Sequence, residues 1–408
     1  MKKRILFVDD EELVLQGLKR MLRSCRDEWD MVFVESGAKA LDTMAQAPFD
    51  VVVADMRMPV MNGAELLSEV MKRYPLTVRI ILSGHSDNEL IFKAIGDTHQ
   101  YLSKPCDSET LQAVLRRAIG SAEILHNSQL KILIGQMTAI PSLPILYHEV
   151  MEKLQQPDVQ MNEITNIIAR DIGMTAKVLQ LVNSAYFGRP NHVTNLNSAV
   201  SFLGLNVITS RFLSVHIFTE FKGLMIKGFS MEDLWKHSLE TATLANKISK
   251  LESRTNAIAN EALVAGMLHD SGRIILAANF PKRYADAIVM AAQEHCEISA
   301  AEKKVFEHTH SEVGGYMMSL WGLPVSVVDA VSYHHDPSFI SGQTFCALTA
   351  VHVANSLVDS DFGNKKGIVP SSLDLNYLKS MNLLDRLPAW QKLVVPEDSC
   401  SGSVFPLN

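Results

Sequence analysis

Residues 49–56 read FDVVVADM. Val51 to Ala54 form an unbroken apolar run that stops at a carboxylate, Asp55. A strand that is polar on one face alternates, whereas one buried on both faces does not. Four other runs of the same kind occur in the first 120 residues: RILFVDD (4–10), MVFVES (31–36), RIILSG (79–84) and YLSKP (101–105). Between them lie segments with helical spacing, such as EELVLQGLKRMLRSC (11–25) and NGAELLSEVMKRY (62–74). Strands alternating with helices predict a parallel sheet of five strands with helices on both faces. In such sheets function collects at the carboxyl ends of the strands.

Those ends carry a consistent chemistry. The first strand finishes in Asp9-Asp10, the third in Asp55, the fourth in Ser83-Gly84 and the fifth in Lys104-Pro105. Acidic groups at strand ends often only cap the helix that follows. Three carboxylates crowded at one rim repel each other unless a cation intervenes, and an oxygen-rich site with room for water suits Mg²⁺. A hydroxyl and a lysine beside them suit a transferred phosphoryl group, which makes Asp55 a candidate nucleophile.

This segment resembles the receiver domain of two-component response regulators. The matching pieces are VDD (8–10), DMRMPVMNG (55–63), LSGHSD (82–87) and YLSKP (101–105). The resemblance implies a flavodoxin-like, doubly wound α/β domain over residues 1–120. It implies that Asp55 accepts a phosphoryl group from a sensor histidine kinase. Asp9, Asp10, Asp55 and the backbone carbonyl of Arg57 would hold Mg²⁺, Lys104 would pair with the phosphoryl oxygens, and Ser83 would shift toward them. Tyr101 would swing inward in response.

The formal net charge of −7 and the absence of a lysine–arginine run argue against a nucleic-acid surface. No helix-turn-helix with a basic recognition helix is visible, so DNA binding is not expected. The five cysteines show no CxxC spacing, as in a reduced, cytoplasmic protein without a zinc ribbon. Asp9 and Asp10 cut the N-terminal apolar run far below signal-peptide length, and no stretch of about twenty apolar residues spans a membrane.

The last receiver helix is expected to start near Asp107-Ser108. Leu111, Leu115, Ala118, Ala122, Leu125 and Ile132 continue it with a 4-3 spacing through a connecting helix at 121–136. That stripe suits either packing on the receiver sheet or a coiled coil that would make a homodimer. After IPSLP (140–144) strand alternation disappears. Segments such as ITNIIAR (164–170), TAKVLQLVN (175–183), LETATLANKIS (239–249) and VVDAVSYHH (327–335) predict an all-helical domain over 137–358.

Eleven of the fourteen histidines fall at or after His148, and a lone histidine is most often an ordinary core or polar residue. The pair His269-Asp270 in GMLHDSGR (266–273) is different, because His237 in an earlier helix could complete a metal site with it. His310, His334 and His335 could serve a second ion. His308, two residues from His310, would face another way on a helix. A hydrolytic dinuclear site also wants an acidic ligand after His352, where this chain offers the neutral amide of Asn355, with Asp359 one turn further.

The helical region resembles the HDOD family, a branch of the HD superfamily of metal-dependent phosphohydrolases. The match is carried by IPSLP (140–144), ARDIGMTAKVLQLVNSAYFG (169–188), SAVSFLG (198–204), LWKHS (234–238), GMLHDSGRIIL (266–276), HSEVGGYMMSLWGLP (310–324), YHH (333–335) and VHVAN (351–355). It implies a domain used for regulatory interactions, usually without hydrolysis. The related HD-GYP phosphodiesterases cleave cyclic di-GMP. This chain keeps their histidines and His269-Asp270, but carries Arg273 for lysine, Asn355 for aspartate, and no GYP loop. The expected protein is therefore a phosphorelay response regulator with a non-catalytic HDOD output that meets an unidentified protein partner. The alternative is a phosphorylation-gated, metal-dependent cyclic dinucleotide phosphodiesterase with a transition metal at His237, His269, Asp270, His310, His334, His335 and Asn355. Residues 359–408 are expected to form an extension, partly helical and then frayed.

Overall fold

The computed structural model describes residues 2–84, 98–121, 128–137, 159–183, 193–203, 226–253, 256–340, 344–362 and 369–394, with isolated positions between 146 and 153. IPSLP, residues 85–87, Leu125, His148, His192, His216 and the last residues, 395–408, lie outside that set.

The N-terminal part is a five-stranded parallel sheet of order β2-β1-β3-β4-β5. Its strands are β1 (Lys3–Val8), β2 (Trp29–Val34), β3 (Val51–Asp55), β4 (Val78–Ser83) and β5 (Gln100–Ser103). They carry the five apolar runs of the sequence, and β3 and β4 are buried along their whole length. Flanking helices are α1 (Glu12–Met21), α2 (Gly37–Gln46), α3 (Gly63–Arg73) and α4 (Ser108–Ser121). The start of α3 is written in the sequence: the Asn62 side chain accepts from the Glu65 N–H while Glu65 reaches back to the Asn62 N–H, satisfying two free donors of the first turn.

Leu111, Leu115 and Ala118 of α4 are fully buried, so the first half of the 4-3 stripe packs inside the molecule. The next described helix, α5 (Ser128–Gln136), buries Leu130 and Ile134 and lies against α3. The rest of the described chain is helical: α6 (Met161–Ile168), α7 (Ile172–Asn183), α8 (Leu196–Leu203), α9 (Met231–Glu252), α10 (Asn256–Leu268), α11 (Ser271–Asn279), α12 (Pro281–Glu294), α13 (Ile298–Phe306), α14 (His310–Leu320), α15 (Val325–Tyr333) and α16 (Ala347–Phe362). The short helices α17 (Leu375–Ser380) and α18 (Leu387–Gln391) end it.

The two parts share a polar seam at the amino-terminal ends of β4 and β5, opposite the rim that carries Asp55. Gln100 Nε2 donates to the Leu320 carbonyl at 3.2 Å, and Arg117 Nη1 donates to the Gly322 carbonyl at 3.1 Å. From the helical side, Gln180 Nε2 donates to the His99 carbonyl at 3.4 Å. Arg79, fully buried in β4, donates through Nη2 to the Gly135 carbonyl at 2.6 Å. Lys177 of α7 is buried beside this seam, its ammonium 5.2 Å from the centre of the Trp321 ring.

Burial holds the Lys177 pKa down to about 7, whereas a lysine in the unfolded chain titrates near 10.4. The folded chain thus binds fewer protons than the unfolded chain between those values, so the cost of Lys177 is full below pH 7 and fades as pH rises toward 10. Lys177→Met, which keeps the aliphatic stem, should raise the thermal midpoint by several degrees at pH 6–7, with the gain shrinking by pH 10. A gain that stayed constant with pH in a melting series would contradict this account.

Candidate phosphoacceptor and histidine sites

At the rim, each group arrives from its own strand. Asp9 follows β1, Asp55 ends β3, Ser83 ends β4 and Lys104 follows β5. Lys104 Nζ bonds Asp9 Oδ2 at 2.6 Å and also pairs closely with Asp55 Oδ1. The other oxygens are taken by backbone: the Arg57 N–H donates to Asp55 Oδ2 at 2.7 Å, and the Glu11 N–H to Asp9 Oδ1 at 3.0 Å. Asp10, beside Asp9, is exposed. Burial pushes the Asp55 carboxyl above its ordinary range, although Lys104 pulls the other way. Burial works against the Lys104 ammonium too, but the bonds to Asp55 and Asp9 prevail and raise its pKa.

Ser83 is fully buried and its Oγ donates to the Gly84 carbonyl at 3.3 Å. Tyr101 is also buried already, so hiding its ring does not require the inward swing that the resemblance implied. A cation among Asp9, Asp10, Asp55 and the Arg57 carbonyl would meet oxygen donors only, as Mg²⁺ requires.

The second site is built by helix ends that approach one another. His237 lies within α9; His269 and Asp270 fill the turn between α10 and α11; His310 opens α14; His334 and His335 follow α15; Asn355 lies on α16. Two glycines allow the approach. A Cβ on Gly272 would lie 1.9 Å from the His310 carbonyl oxygen, and one on Gly266 would lie 2.6 Å from the Ala242 Cα. Thr309 caps α14 through a reciprocal pair with Glu312, which places His310 in the first turn.

All seven residues proposed from the sequence come together. Asp270 is central: its Oδ1 is 3.1 Å from His310 Nε2 and 3.7 Å from His269 Nε2, and its Oδ2 is 3.9 Å from His237 Nε2. His237 Nε2 is 3.2 Å from His269 Nε2, and His335 Nε2 is 3.1 Å from His310 Nε2. The tautomers follow from the partners, since a carbonyl or carboxylate only accepts. His269 Nδ1 donates to the Gly266 carbonyl at 2.7 Å, His334 Nδ1 to the Val331 carbonyl at 2.9 Å, and His310 Nδ1 to a carboxylate of Glu302 at 2.6 Å. Their Nε2 atoms are thereby left for the interior, and His334 Nε2 is buried with no hydrogen-bond partner.

The electrostatics divide the histidines. Burial presses His269 down to about 4 and holds His334 and His335 well below the usual imidazole range, keeping all three neutral. Burial also works against a charged His310, but the carboxylates of Glu302 and Asp270 overcome it and raise its pKa to about 9. Asp270 stays ionised despite burial, held by His269, Arg273 and His310. Arg273 Nη1 donates to Asp270 Oδ2 at 3.0 Å and Arg273 Nε donates to the Tyr284 hydroxyl at 3.0 Å.

Other histidines are accounted for without a ligand. His308 Nδ1 pairs with Glu312 at 2.9 Å; it lies before the Thr309 cap of α14, so the helical spacing argument does not apply to it. His352 is saturated: Nδ1 donates to the His334 carbonyl and Nε2 accepts from the Asp374 N–H. The Asn355 amide oxygen is 2.9 Å from His237 Nε2, and its Nδ2 donates to Ser371 Oγ at 3.2 Å. The side chain of Asp359 lies outside the described residues.

Two contributors were missed from the sequence. Glu302 sits in ISAAEKKVF among lysines, where it reads as a surface residue, yet it is fully buried against His310. The segment 371–374, left without a role, braces the site: Ser372 donates to Glu297 Oε1 through both N–H and Oγ, and Asp374 holds His352.

Two clusters have ligand atoms within 4.8 Å of one another: His237, His269 and Asp270, and His310, His334 and His335. The Nε2 atoms of His269, His310 and His334, turned inward by their fixed Nδ1–H groups, fit a transition metal. When bound, such an ion would neutralise Asp270 and supply an activated water.

A family model for the response regulator receiver domain matches residues 5–116, and one for the HDOD domain matches residues 140–337. An uncharacterized protein of Treponema pallidum is 25% identical over 199 residues, which are 48% of this chain and 38% of that protein. The transcriptional regulatory protein ZraR of Escherichia coli O157:H7 is 27% identical over 222 residues, 54% of this chain and 47% of that one. Curated relatives are thus matched over less than half of their own length. Among solved structures, the signal receiver domain of an HD domain-containing protein from Pseudomonas fluorescens Pf-5 is 35% identical, covering 30% of this chain and 90% of that one, with a TM-score of 0.29. The MmoQ response regulator from Methylococcus capsulatus is 20% identical, covering 63% of this chain and 98% of that one, with a TM-score of 0.49. Among the described residues no helix is long and apolar enough to cross a membrane.

The Lys104 ammonium is the cation that Asp9 and Asp55 share. Lys104→Met should destabilise the chain by about 1–3 kcal/mol in EDTA, less than for a fully buried pair because Lys104 is partly exposed. Millimolar Mg²⁺ should recover more of the thermal midpoint in the variant than in the parent. Equal Mg²⁺ responses in calorimetry would count against a cation site between these carboxylates.

Proposed function

The chain belongs to the response regulators that join an N-terminal receiver domain to a C-terminal HDOD domain, and from that premise we propose that phosphorylation of Asp55 by a histidine kinase controls a non-catalytic HDOD output. The observation that carries this reading is the shared grip of Lys104 on Asp9 and Asp55 at the strand-end rim. Mg²⁺, when bound, would offset the charge of the incoming phosphoryl group and of the rim carboxylates. Asp9, Asp10, Asp55 and the Arg57 carbonyl would hold it.

The protein's own part is positioning. The Arg57 N–H holds one oxygen of Asp55, which leaves the other as the attacking atom once Lys104 shifts. A phosphoryl group on Asp55 adds charge and strong acceptor oxygens. Lys104 would follow them away from Asp9, and Ser83 Oγ would exchange the Gly84 carbonyl for a phosphoryl oxygen. Lys104 directly follows β5 and Ser83 ends β4, so each sits one short strand away from the seam. Ser83 and Arg79 share β4, and Lys104 is four residues from Gln100, so movement at the rim bears on the bonds to Gly135 and Leu320. The HDOD surface offered to its partner would change with that seam.

A second reading is supported by one specific observation, the inward Nε2 atoms of the buried histidines. In it the HDOD domain is a metal-dependent phosphodiesterase acting on a cyclic dinucleotide, with His237, His269, Asp270, His310, His334 and His335 as ligands. Against hydrolysis stand Asn355, whose amide oxygen is engaged with His237, and Arg273, which already neutralises part of Asp270.

Three experiments test these readings, and the third separates them. Incubation with labelled acetyl phosphate and Mg²⁺ should label the parent chain and leave Asp55→Ala at background; equal labelling would reject Asp55 as the acceptor. Hydrogen exchange with beryllofluoride and Mg²⁺ should change protection at Gln100 and at 320–323, and an unchanged pattern would reject the route through the seam. Elemental analysis paired with a cyclic di-GMP hydrolysis assay should find no turnover. Turnover lost in His269→Ala would install the second reading instead.

A further inference from the structure

We propose that Glu302 is the positioning residue of the histidine cage: it fixes His310 as a metal ligand and supplies the negative charge that Asn355 withholds. The inference rests on the metal-holding reading of the cage, not on hydrolysis.

Glu302 lies on α13, a helix whose neighbouring Lys303 and Lys304 turn to solvent and pair with Glu312 and Glu294. Glu302 itself is fully buried. One oxygen, Oε2, accepts two bonds from the same residue: His310 Nδ1 at 2.6 Å and the His310 backbone N–H at 2.8 Å. The ring is therefore fixed in position and rotation, with Nε2 3.1 Å from both Asp270 Oδ1 and His335 Nε2. The other oxygen, Oε1, is buried with no hydrogen-bond partner. An ionised oxygen in that condition is costly unless positive charge lies nearby.

The cage needs such a group. Of its seven residues only Asp270 is a carboxylate, and that charge is shared with Arg273. Metal-bound imidazoles commonly donate their second N–H to a carboxylate, which fixes the tautomer and makes the ligand more basic. His269 and His334 use backbone carbonyls for this purpose. His310 alone among these three has a full negative charge behind it, so the charge reaches the cage through the imidazole.

The test uses the full chain, stripped with chelator and titrated with Zn²⁺ and, separately, Mn²⁺. Glu302→Gln keeps the shape and removes the charge. It should weaken metal binding by about 10–100-fold, while the melting midpoint of the chelated protein stays within a few degrees of the parent. Glu302→Asp, too short to reach both His310 donors, should fall between the two. The parent should also show a strongly downfield His310 Nδ1 proton by NMR, moved upfield in Glu302→Gln. Parent-like metal affinity in Glu302→Gln, or an unmoved proton, overturns the proposal and leaves the metal reading intact. If Glu302→Gln does not fold, parent-like affinity in Glu302→Asp overturns it equally. Lost affinity accompanied by collapse of the chelated fold in both variants assigns Glu302 a structural role and also overturns it. A parent chain that takes up neither metal removes the metal reading, and the proposal with it.

Discussion

A carboxylate withdrawn from water must have positive charge within reach, and this requirement shapes both candidate sites. At the receiver rim, Asp9 and Asp55 converge on one ammonium, Lys104. In the helical domain, Asp270 is held by Arg273 and by His310, and Glu302 stands behind His310. Isolated buried charges of this kind are prohibitive, and paired ones are tolerable only with good geometry. The geometry comes from strand ends in one case and from helix ends in the other, so each fold is committed to its site before any ligand arrives.

The seam between the two parts obeys the same logic with weaker forces. It is made of amide and guanidinium donors reaching backbone carbonyls: Gln100 to Leu320, Arg117 to Gly322, Gln180 to His99 and Arg79 to Gly135. Such bonds contribute about 1 kcal/mol each on net, and leaving a buried donor unmade costs more. A contact of this sort favours one fit without being irreversible. It also occupies the β5–α4 side of the receiver, so that this surface meets the helical domain of the same chain.

Much of this was legible in the sequence. The apolar runs gave the strands because parallel strands are covered on both faces, and the rim residues were marked by ending those runs. The histidine cage was legible for a similar reason, since His269-Asp270 and His334-His335 fall where helices stop. What escaped depended on long-range burial. Glu302 lies between Ala301 and Lys303 in a stretch that suits an exposed helix face, and only packing shows it turned inward. The seam left a fainter trace. Arg79 interrupts the apolar run of β4, and Lys177 interrupts that of α7. A charged side chain in an otherwise apolar element is a sign that a polar partner waits across the interface. The 4-3 stripe at 111–118 carried no such mark, because a stripe that faces its own domain and one that faces a second copy look alike.

The C-terminal segment 371–374 has a consequence of its own. Ser371 steadies Asn355, Ser372 is tied to Glu297, and the Asp374 N–H is spent on His352. This segment is thus a doorstop for the cage, wedged by a handful of ordinary bonds. Trp390 and Arg386, anchored on Glu252, act as the hinge pin that keeps it there. Anything that grips this tail, whether a protease or a passing protein, would handle the cage at one remove without ever entering it.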